Sequence, residues 1–307
     1  MHGIKAIGSY LPKTQIDNYT IGQRWDLKPD FIKSKIGVVE RLVKDPHEDT
    51  SDMAVKAFEA LRNKTGMELS NIDALVVVTQ NPDYNIPHVA GLVHGKLGLS
   101  ESVSTFDISL GCSGYVYGLN ILVGFLQSVG MNRGVLITAD PYSKIINMDD
   151  KNTVLLFGDA ATATLIEQEP VYSMHSFAGG SKGDLKRALI CEDGTLEMNG
   201  RDVFNFAASS IPGLVQQTLD RADLSLNEID AFLFHQGSGY ILDTLTRRMK
   251  LESTKVIHGL ANVGNTVSSS IPLLLEAEID NKRREKLLLC GFGVGLSYAS
   301  CICQRKD

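Results

Sequence analysis

The sequence of 307 residues lacks three features that would point away from an ordinary globular protein. It has no apolar run of about 18 residues, the length that a transmembrane helix needs, so we expect no membrane partner. It has no basic surplus, because 30 Lys and Arg stand against 36 Asp and Glu. The resulting net charge of −6 argues against nucleic acid as a partner. Cysteine is scarce, with five residues, which excludes a small disulfide scaffold.

The first residues of the chain show no export signal. Residues 1–12 lack a basic segment followed by an apolar one, and their pattern predicts a strand. We therefore expect a cytoplasmic protein with reduced thiols. The composition is 43% hydrophobic and 21% charged, which is typical of a folded chain. At this length we expect two cores of similar size or one fused α/β body.

Short apolar segments alternate with amphipathic ones along the chain. Apolar runs such as residues 74–79 predict strands buried on both faces, in a sheet covered by helices. The predicted strands are residues 3–9, 72–79, 103–108, 134–140, 154–157, 160–166, 229–235, 254–258, 286–292 and 296–303. The predicted helices are residues 50–65, 87–97, 113–129, 208–222, 239–250 and 267–280. This alternation predicts an α/β fold.

The two halves of the chain contain similar segments. Residues 68–80 and 226–236 both carry Ile-Asp-Ala at the entry to a predicted buried strand, and residues 134–140 and 286–293 form a second pair. One pair could arise by chance, but two pairs separated by about half the chain predict a duplication. We therefore expect an N-terminal half at residues 1–168 and a C-terminal half at residues 169–307.

Cys112 lies where a predicted strand gives way to a predicted helix, with glycines at 111 and 114. The free amides and the dipole of a helix N-terminus stabilise an anion, which predicts a lowered thiol pKa. The pattern favours a nucleophile, which we expect to be alkylated before the other four cysteines. The alternative is a buried structural cysteine, the commoner fate of a single thiol.

Two further polar residues occupy similar positions. His235 ends a predicted buried strand, where the binding crevices of α/β proteins form, although a core histidine bonded to the backbone is the alternative. Asn265 precedes a predicted helix, and its alternative role is a helix cap. Residues 290–295 predict a tight turn that exposes its amides. Because no helix follows them, a dinucleotide-binding loop is disfavoured.

Five short motifs follow one another in order along the chain. They are Asp107-Ile108-x-x-Gly111-Cys112-Ser113-Gly114, Phe157-Gly158-Asp159-Ala160-Ala161, His235-Gln236, Gly264-Asn265-Thr266 and Gly291-Phe292-Gly293. Together they resemble the thiolase-fold condensing enzymes, specifically the β-ketoacyl-[acyl-carrier-protein] synthase III family. The resemblance extends from Gly8 to Tyr298. It implies a thiolase-like duplicated α/β fold with αβαβα layers, in agreement with the repeat.

The resemblance also implies a reaction, the decarboxylative Claisen condensation of an acyl thioester primer with a malonyl thioester. Cys112 would carry the acyl group, while His235 and Asn265 would donate hydrogen bonds to the malonyl thioester. The backbone amides of Cys112 and Val294 would form the oxyanion hole. No cofactor and no metal are implied. The substrates would be thioesters of coenzyme A or acyl carrier protein, and the protein would be a homodimer.

The sequence departs from the family in the substrate tunnel. Phe31 and Lys151 stand where family members stack the adenine of coenzyme A between Trp and Arg. Lys35 aligns with a family Arg, Asn205 with a Lys and Tyr240 with an Arg. Lys does not replace Arg in stacking or bidentate binding. We therefore predict weak binding of coenzyme A, or delivery of the primer by a carrier protein.

Other predicted substrate contacts lie around this tunnel. Arg247 is expected to form a basic rim for an acidic carrier protein, together with Lys33, Lys35, Arg248 and Lys250. A solvated helix face is the alternative. Phe292 is predicted to contact the substrate. The resemblance places Ile86 in the acyl pocket of the partner subunit, where its size predicts primers longer than acetyl.

Two other functions stay open. The first is an acyltransferase of the same fold that moves the acyl group to an alcohol or amine. Asn265 argues against it, because simple transfer requires no decarboxylation. The second is a non-catalytic binding subunit of a heterodimer, against which the presence of Cys112 and His235 argues.

Overall fold

The computed structural model describes residues 1–306. The strands are β1 Gly3–Tyr10, β2 Thr14–Asp17, β3 Glu40–Val43, β4 Ala74–Val78, β5 Ser104–Ile108, β6 Gly134–Ala139, β7 Ala161–Glu167, β8 Tyr172–Ser181, β9 Leu189–Glu192, β10 Thr195–Met198, β11 Ala231–Phe234, β12 Lys286–Phe292 and β13 Ser297–Arg305. The helices are α1 Asn18–Gly22, α2 Pro29–Phe31, α3 Thr50–Thr65, α4 Val89–Leu97, α5 Gly114–Val129, α6 Lys151–Val154, α7 Gly200–Ala222, α8 Gly239–Arg248 and α9 Ser270–Glu278.

Nine strands form one mixed sheet in the order β11-β12-β13-β8-β1-β7-β6-β4-β5. Its two wings meet where Gly3 and Ile4 of β1 pair with β8. In one wing the strand at the junction is β1, the first in the chain, and its neighbour is β7, the last. In the other wing the strand at the junction is β8, the first, and its neighbour is β13, the last. This shared order supports the proposal that the halves divide near residue 168, between β7 and β8.

The sheet is covered and filled by three layers of helices. One core lies between the wings, where Leu119 of α5 and Leu275 of α9 are buried. A second core packs α3 and α4 on the outer face of one wing, and a third packs α7 and α8 on the outer face of the other. Alternate residues of β4 serve different cores, with Val76 facing the central layer and Val77 the outer one. The expected αβαβα fold is confirmed.

Most predicted elements appear within a few residues of their expected positions, but α7 begins at Gly200 and not at residue 208, and two predicted strands are not formed. The predicted strand 154–157 is wrong, because the side chain of Asp150 caps the short helix α6 and only Phe157 makes a bridge. The predicted strand 254–258 reduces to one bridge at Val256. Strand β8 was not predicted from the sequence, nor were the two small sheets, β2 with β3 and β9 with β10.

The close contact between β1 and α3 depends on Gly8. A Cβ atom at this position would lie 2.2 Å from the backbone nitrogen of Leu61 in α3. A contact this short with backbone atoms cannot be relieved by rotating a side chain. Gly8 therefore allows α3 to lie directly on the first strand of the sheet.

We expect Gly8→Ala to destabilise the protein by about 3 kcal/mol, the upper end of the usual cost of overpacking. Gly213→Ala is the matched control, since a Cβ in this part of α7 meets nothing within 4 Å. An alanine within a helix should stabilise it by about 0.5–1 kcal/mol. Urea unfolding of both variants measures the difference. Equal stability of Gly8→Ala and the wild type would contradict the proposed contact.

Candidate active site

A cavity of about 360 Å³ brings the three predicted catalytic residues together. Cys112, His235 and Asn265 all line it, although they belong to motifs far apart in the chain. Each is almost fully buried, with at most 3% of its surface exposed. Apolar side chains form most of the remaining wall: Leu27, Ile36, Leu155, Leu156, Phe157, Leu189, Met198, Val203, Phe204, Ile241 and Phe292.

Cys112 lies in the turn between β5 and α5, and glycines bring another turn against it. A Cβ atom on Gly293 would lie 2.6 Å from the Cys112 sulfur, and one on Gly291 would lie 2.5 Å from the Cys112 carbonyl oxygen. Only glycine therefore fits at both positions. The turn that follows β12 can then approach the thiol closely from the other wing of the sheet.

Two backbone amides interact with the thiol. Hydrogen bonds from the amides of Val294 and Cys112 favour the thiolate and so lower the pKa of Cys112. Val294 begins a short 3₁₀ turn immediately after Gly293. The two amides predicted to form the oxyanion hole therefore both act on the sulfur of Cys112.

The direction of the Cys112 pKa differs from the expectation. Burial, and secondly the charge of Asp140, raise the pKa of the thiol to about 12 despite the two amides. The prediction of a lowered pKa was wrong, because desolvation of the buried thiol outweighs the two amide hydrogen bonds. Cys191 is the exposed thiol of the protein, whereas Cys290, Cys301 and Cys303 are buried. We now expect Cys191, not Cys112, to be alkylated first.

His235 follows β11 and is held by β12 and by the start of α9. Its backbone amide donates to the carbonyl of Cys290, and its Nδ1 lies 2.8 Å from the hydroxyl of Ser270. The ring meets Phe292 edge to face at 5.6 Å. Burial lowers the pKa of His235 to about 3, against a backbone hydrogen bond with Val267. The imidazole is therefore neutral at physiological pH.

The amide of Asn265 has a defined orientation. The backbone N–H of Val267 donates to Oδ1 of Asn265 at 3.0 Å, and only the oxygen of the side chain can accept. Nδ2 is thereby directed away from Val267, 3.4 Å from the carbonyl of Gly237. It has a second proton available for the cavity. The side chain does not cap α9, whose N-cap residue is Ser269.

Two other motif residues, Gln236 and Asp159, have structural roles. The side-chain oxygen of Gln236 accepts from the amide of Gly259, and its nitrogen donates to the carbonyl of Phe234. Asp159 is buried and accepts from the backbone amides of Lys44 and Ser143. Neither Gln236 nor Asp159 lines the cavity. These motif residues hold the surrounding segments in place and do not contact the cavity.

Phe31, Lys35, Lys151 and Tyr240 line the cavity, as predicted for substrate-binding residues. Lys35 and Tyr240 form a stack that the sequence did not predict. The Nζ atom of Lys35 lies 5.1 Å from the ring centroid of Tyr240. That ring stacks on Phe204 at 5.0 Å. An aromatic stack carrying one cation therefore occupies the place where the resemblance led us to expect an arginine.

Three predicted substrate contacts lie outside the cavity wall. Asn205 and Arg247 are exposed on α7 and α8, and Ile86 is 83% exposed. Arg248, which we placed in the basic rim, donates to the carbonyl of Ala208 at 2.7 Å and joins α8 to α7. The substrate roles of Asn205, Arg247 and Ile86 remain predictions.

Asp140, which follows β6, was not identified from the sequence as a residue of the site. Its Oδ1 accepts from the backbone amide of Gln80 at 3.1 Å and from Nδ2 of Asn81 at 2.8 Å. Burial raises the pKa of Asp140 to about 7. The sequence signal that could have identified Asp140 is an acidic residue directly after a buried parallel strand, where binding sites form. Its negative charge raises the pKa of the Cys112 thiol.

Residues 1–306 contain no cluster of three or more His, Cys, Asp or Glu side chains suited to a metal ion. In the same part of the chain, no helix has the length and apolar character needed to cross a membrane.

Two segments of the chain, which together contain Cys112, His235 and Asn265, match one known protein family. Residues 106–183 match the family described as 3-oxoacyl-[acyl-carrier-protein] synthase III, and residues 219–305 match its C-terminal domain. The β-ketoacyl-[acyl-carrier-protein] synthase III 2 of Staphylococcus epidermidis is 32% identical, and the match covers 97% of each chain.

Solved structures agree with these matches. The structure of β-ketoacyl-[acyl-carrier-protein] synthase III from Thermus thermophilus superposes with a TM-score of 0.92 at 31% identity, covering 99% of each chain. The priming β-ketosynthase of the R1128 polyketide biosynthetic pathway reaches a TM-score of 0.91 at 25% identity. That match covers 100% of this chain and 97% of the ketosynthase.

We expect Asp140→Asn to speed alkylation of Cys112 several-fold at about pH 8, because it removes a charge that raises the thiol pKa. The amide keeps an oxygen that can accept from Gln80 and Asn81. At about pH 6 the wild-type carboxyl is itself mostly protonated, so the two rates should converge. Intact mass after iodoacetamide treatment, in a Cys191→Ser background, gives the rates. If Asp140→Asn sped the alkylation of Cys112 equally at about pH 6 and about pH 8, the proposed effect of the Asp140 charge would be contradicted.

Proposed function

The chain belongs to the β-ketoacyl-[acyl-carrier-protein] synthase III family of condensing enzymes, and from that premise we propose a role for each group in its cavity. The protein joins an acyl primer to a malonyl thioester with release of carbon dioxide. One observation carries the residue assignment. A thiol and two neutral hydrogen-bond donors, Cys112, His235 and Asn265, meet in a single apolar cavity.

In the first half-reaction, the sulfur of Cys112 attacks the primer thioester. The bond from the acyl carbon to the carrier sulfur breaks, and the thiol proton of Cys112 passes to the departing carrier thiolate. The amides of Cys112 and Val294 stabilise the negative oxygen of the tetrahedral intermediate.

In the second half-reaction, His235 and Asn265 donate to the thioester oxygen of the malonyl group. Their hydrogen bonds stabilise the enolate that forms as the carboxylate leaves as carbon dioxide. The enolate carbon then attacks the acyl carbonyl, and Cys112 departs as its leaving group. Neutral donors suit this step, because a buried cation would stabilise the malonyl carboxylate and so oppose its loss as carbon dioxide. His235 is neutral because burial lowers its pKa to about 3.

The cavity mouth suits delivery by a carrier protein. Phe31 and Lys151 offer one ring and one flexible cation, a poorer adenine clamp than Trp with Arg. Lys33, Lys35 and Arg247 are exposed cations on neighbouring segments and would attract an acidic acyl carrier protein. We therefore propose acyl carrier protein as the malonyl donor, and acyl-coenzyme A or acyl carrier protein as the primer donor, with no cofactor.

A second copy of the chain would complete the acyl pocket. Ile86 and its neighbour Tyr84 are exposed by 83% and 61%, which is unusual for large apolar side chains. We propose a homodimer in which Ile86 of the partner subunit closes the primer pocket. An isoleucine there leaves room for primers longer than acetyl.

We expect His235→Ala and Asn265→Ala to slow carbon dioxide release from malonyl-[acyl-carrier-protein] by about 10²–10³. Both variants should still form acyl-Cys112, because neither side chain belongs to the oxyanion hole. Intact mass measures acylation, and labelled malonyl measures decarboxylation. His175→Ala and Asn227→Ala, at exposed positions, are the matched controls.

The same experiment separates the alternatives. Undiminished condensation by Asn265→Ala would favour the acyltransferase. If neither the wild type nor any variant took up an acyl group, the protein would be a binding subunit.

We expect Ile86→Phe to reduce acylation of Cys112 by octanoyl more than by acetyl thioesters. Each buried methylene contributes about 0.8 kcal/mol, so lost space costs longer primers more. Acylation rates with acetyl, butyryl, hexanoyl and octanoyl thioesters measure this change. A strong wild-type preference for acetyl that Ile86→Phe leaves unaltered would remove Ile86 from the pocket.

A further inference from the structure

His235 can perform its proposed role in only one of its two neutral tautomers. A neutral imidazole carries a single N–H, and its other nitrogen can only accept a hydrogen bond. Nδ1 lies against Ser270, which leaves Nε2 as the nitrogen available to a substrate. To donate to a thioester oxygen, His235 must therefore carry its proton on Nε2 and accept a hydrogen bond at Nδ1.

Two groups from one segment of the chain act on this ring. The Ser270 hydroxyl lies 2.8 Å from Nδ1. The backbone hydrogen bond with Val267 raises the pKa of His235, as an acceptor does, so it involves the carbonyl oxygen of Val267. A carbonyl can only accept, whereas a hydroxyl can donate or accept. Of these two groups, the Ser270 hydroxyl alone can donate to Nδ1.

The Ser270 hydroxyl has one proton and two acceptors within reach, Nδ1 of His235 and the carbonyl oxygen of Val267. In its contact with Val267, the hydroxyl is the donor to the carbonyl oxygen, at 3.0 Å. That oxygen already accepts the backbone N–H of Ser270, at the start of α9. The carbonyl therefore keeps a hydrogen bond when the hydroxyl turns to Nδ1. With the His235 proton on Nε2, as its proposed role requires, Nδ1 is a buried acceptor, and of these two groups only the hydroxyl can satisfy it.

We propose that Ser270 is a positioning residue that holds His235 in the Nε2–H tautomer by donating its hydroxyl proton to Nδ1. The inference rests on the proposed function of His235 as a hydrogen-bond donor. Without this hydroxyl, the carbonyl of Val267 is the remaining partner, and it draws the ring proton to Nδ1. Nε2 then presents a lone pair to the enolate oxygen, which is repulsive.

The same short segment orients both proposed donors. The backbone N–H of Val267 accounts for the orientation of the Asn265 amide, and the Ser270 hydroxyl accounts for the tautomer of His235. Val267 begins the 3₁₀ turn, and Ser270 is the first residue of α9, which follows that turn directly. The two donors are thus directed into the cavity by groups from one turn.

Long-range proton–nitrogen NMR correlation of protein carrying ¹⁵N-labelled histidine reports the tautomer directly. The His235 signals are identified by their absence from His235→Ala. We expect the Nε2–H pattern in the wild type, unchanged between about pH 6 and 8 because the ring stays neutral. In Ser270→Ala we expect the Nδ1–H pattern. Carbon dioxide release should fall about 10²-fold, while acylation of Cys112 should be unaffected.

Ser268→Ala is the matched control, because this neighbouring serine is also buried and its hydroxyl has no hydrogen-bond partner among the described residues. It should keep the wild-type tautomer and rate. Ser270→Thr retains the hydroxyl and should restore the Nε2–H pattern.

An Nδ1–H pattern in the wild type would overturn the inference without any variant. So would a Ser270→Ala protein that keeps the Nε2–H pattern or the wild-type rate of decarboxylation. Normal carbon dioxide release by His235→Ala, with the expected tautomers in place, would instead overturn the proposed function and leave the Ser270 contact standing.

Discussion

The chemistry of this site depends on the burial of its three polar side chains. Cys112, His235 and Asn265 are nearly inaccessible to solvent, so the protein must supply every hydrogen bond that orients them. Burial raises the pKa of Cys112 to about 12 and lowers that of His235 to about 3. Both groups therefore rest in their neutral forms. In such an environment, fixed dipoles directed at a developing negative charge act more strongly than in water.

The layered fold accounts for how these groups meet. The two central helices, α5 and α9, both begin at the site, one after Cys112 and the other at Ser270. Glycines allow the surrounding segments to approach. A Cβ on Gly158 would lie 1.9 Å from the carbonyl oxygen of Val263, and Gly293 lies against the thiol itself. These contacts allow groups from both wings of the sheet to line one cavity.

Sequence patterns located the site well because strand ends and helix starts are local features. Cys112, His235 and Asn265 each adjoin such a boundary, and all three line the cavity. Properties set by distant parts of the chain were not predictable. The pKa of Cys112 was misjudged because burial, unlike a helix start, cannot be read from neighbouring residues.

Distant packing also explains the elements and contacts that were missed. Strand β8 contains Gly179 and Gly180, which weaken a strand pattern but here leave room for the rings of Tyr117 and Tyr298. The pairing of Ser270 with His235 joins residues 35 positions apart and has no sequence signature. The stack of Lys35 on Tyr240 likewise depends on two segments that only the folded chain brings together.

The central claim is that one cavity couples decarboxylation to carbon–carbon bond formation on Cys112. The stoichiometry of a single incubation tests it most directly. Wild-type protein is supplied with an acyl primer and labelled malonyl-[acyl-carrier-protein], and carbon dioxide and the carrier-bound product are quantified together by mass spectrometry. The account predicts one carbon dioxide for each β-ketoacyl product, two carbons longer than the primer. Acyl transfer without carbon dioxide, or carbon dioxide without the lengthened product, would contradict it.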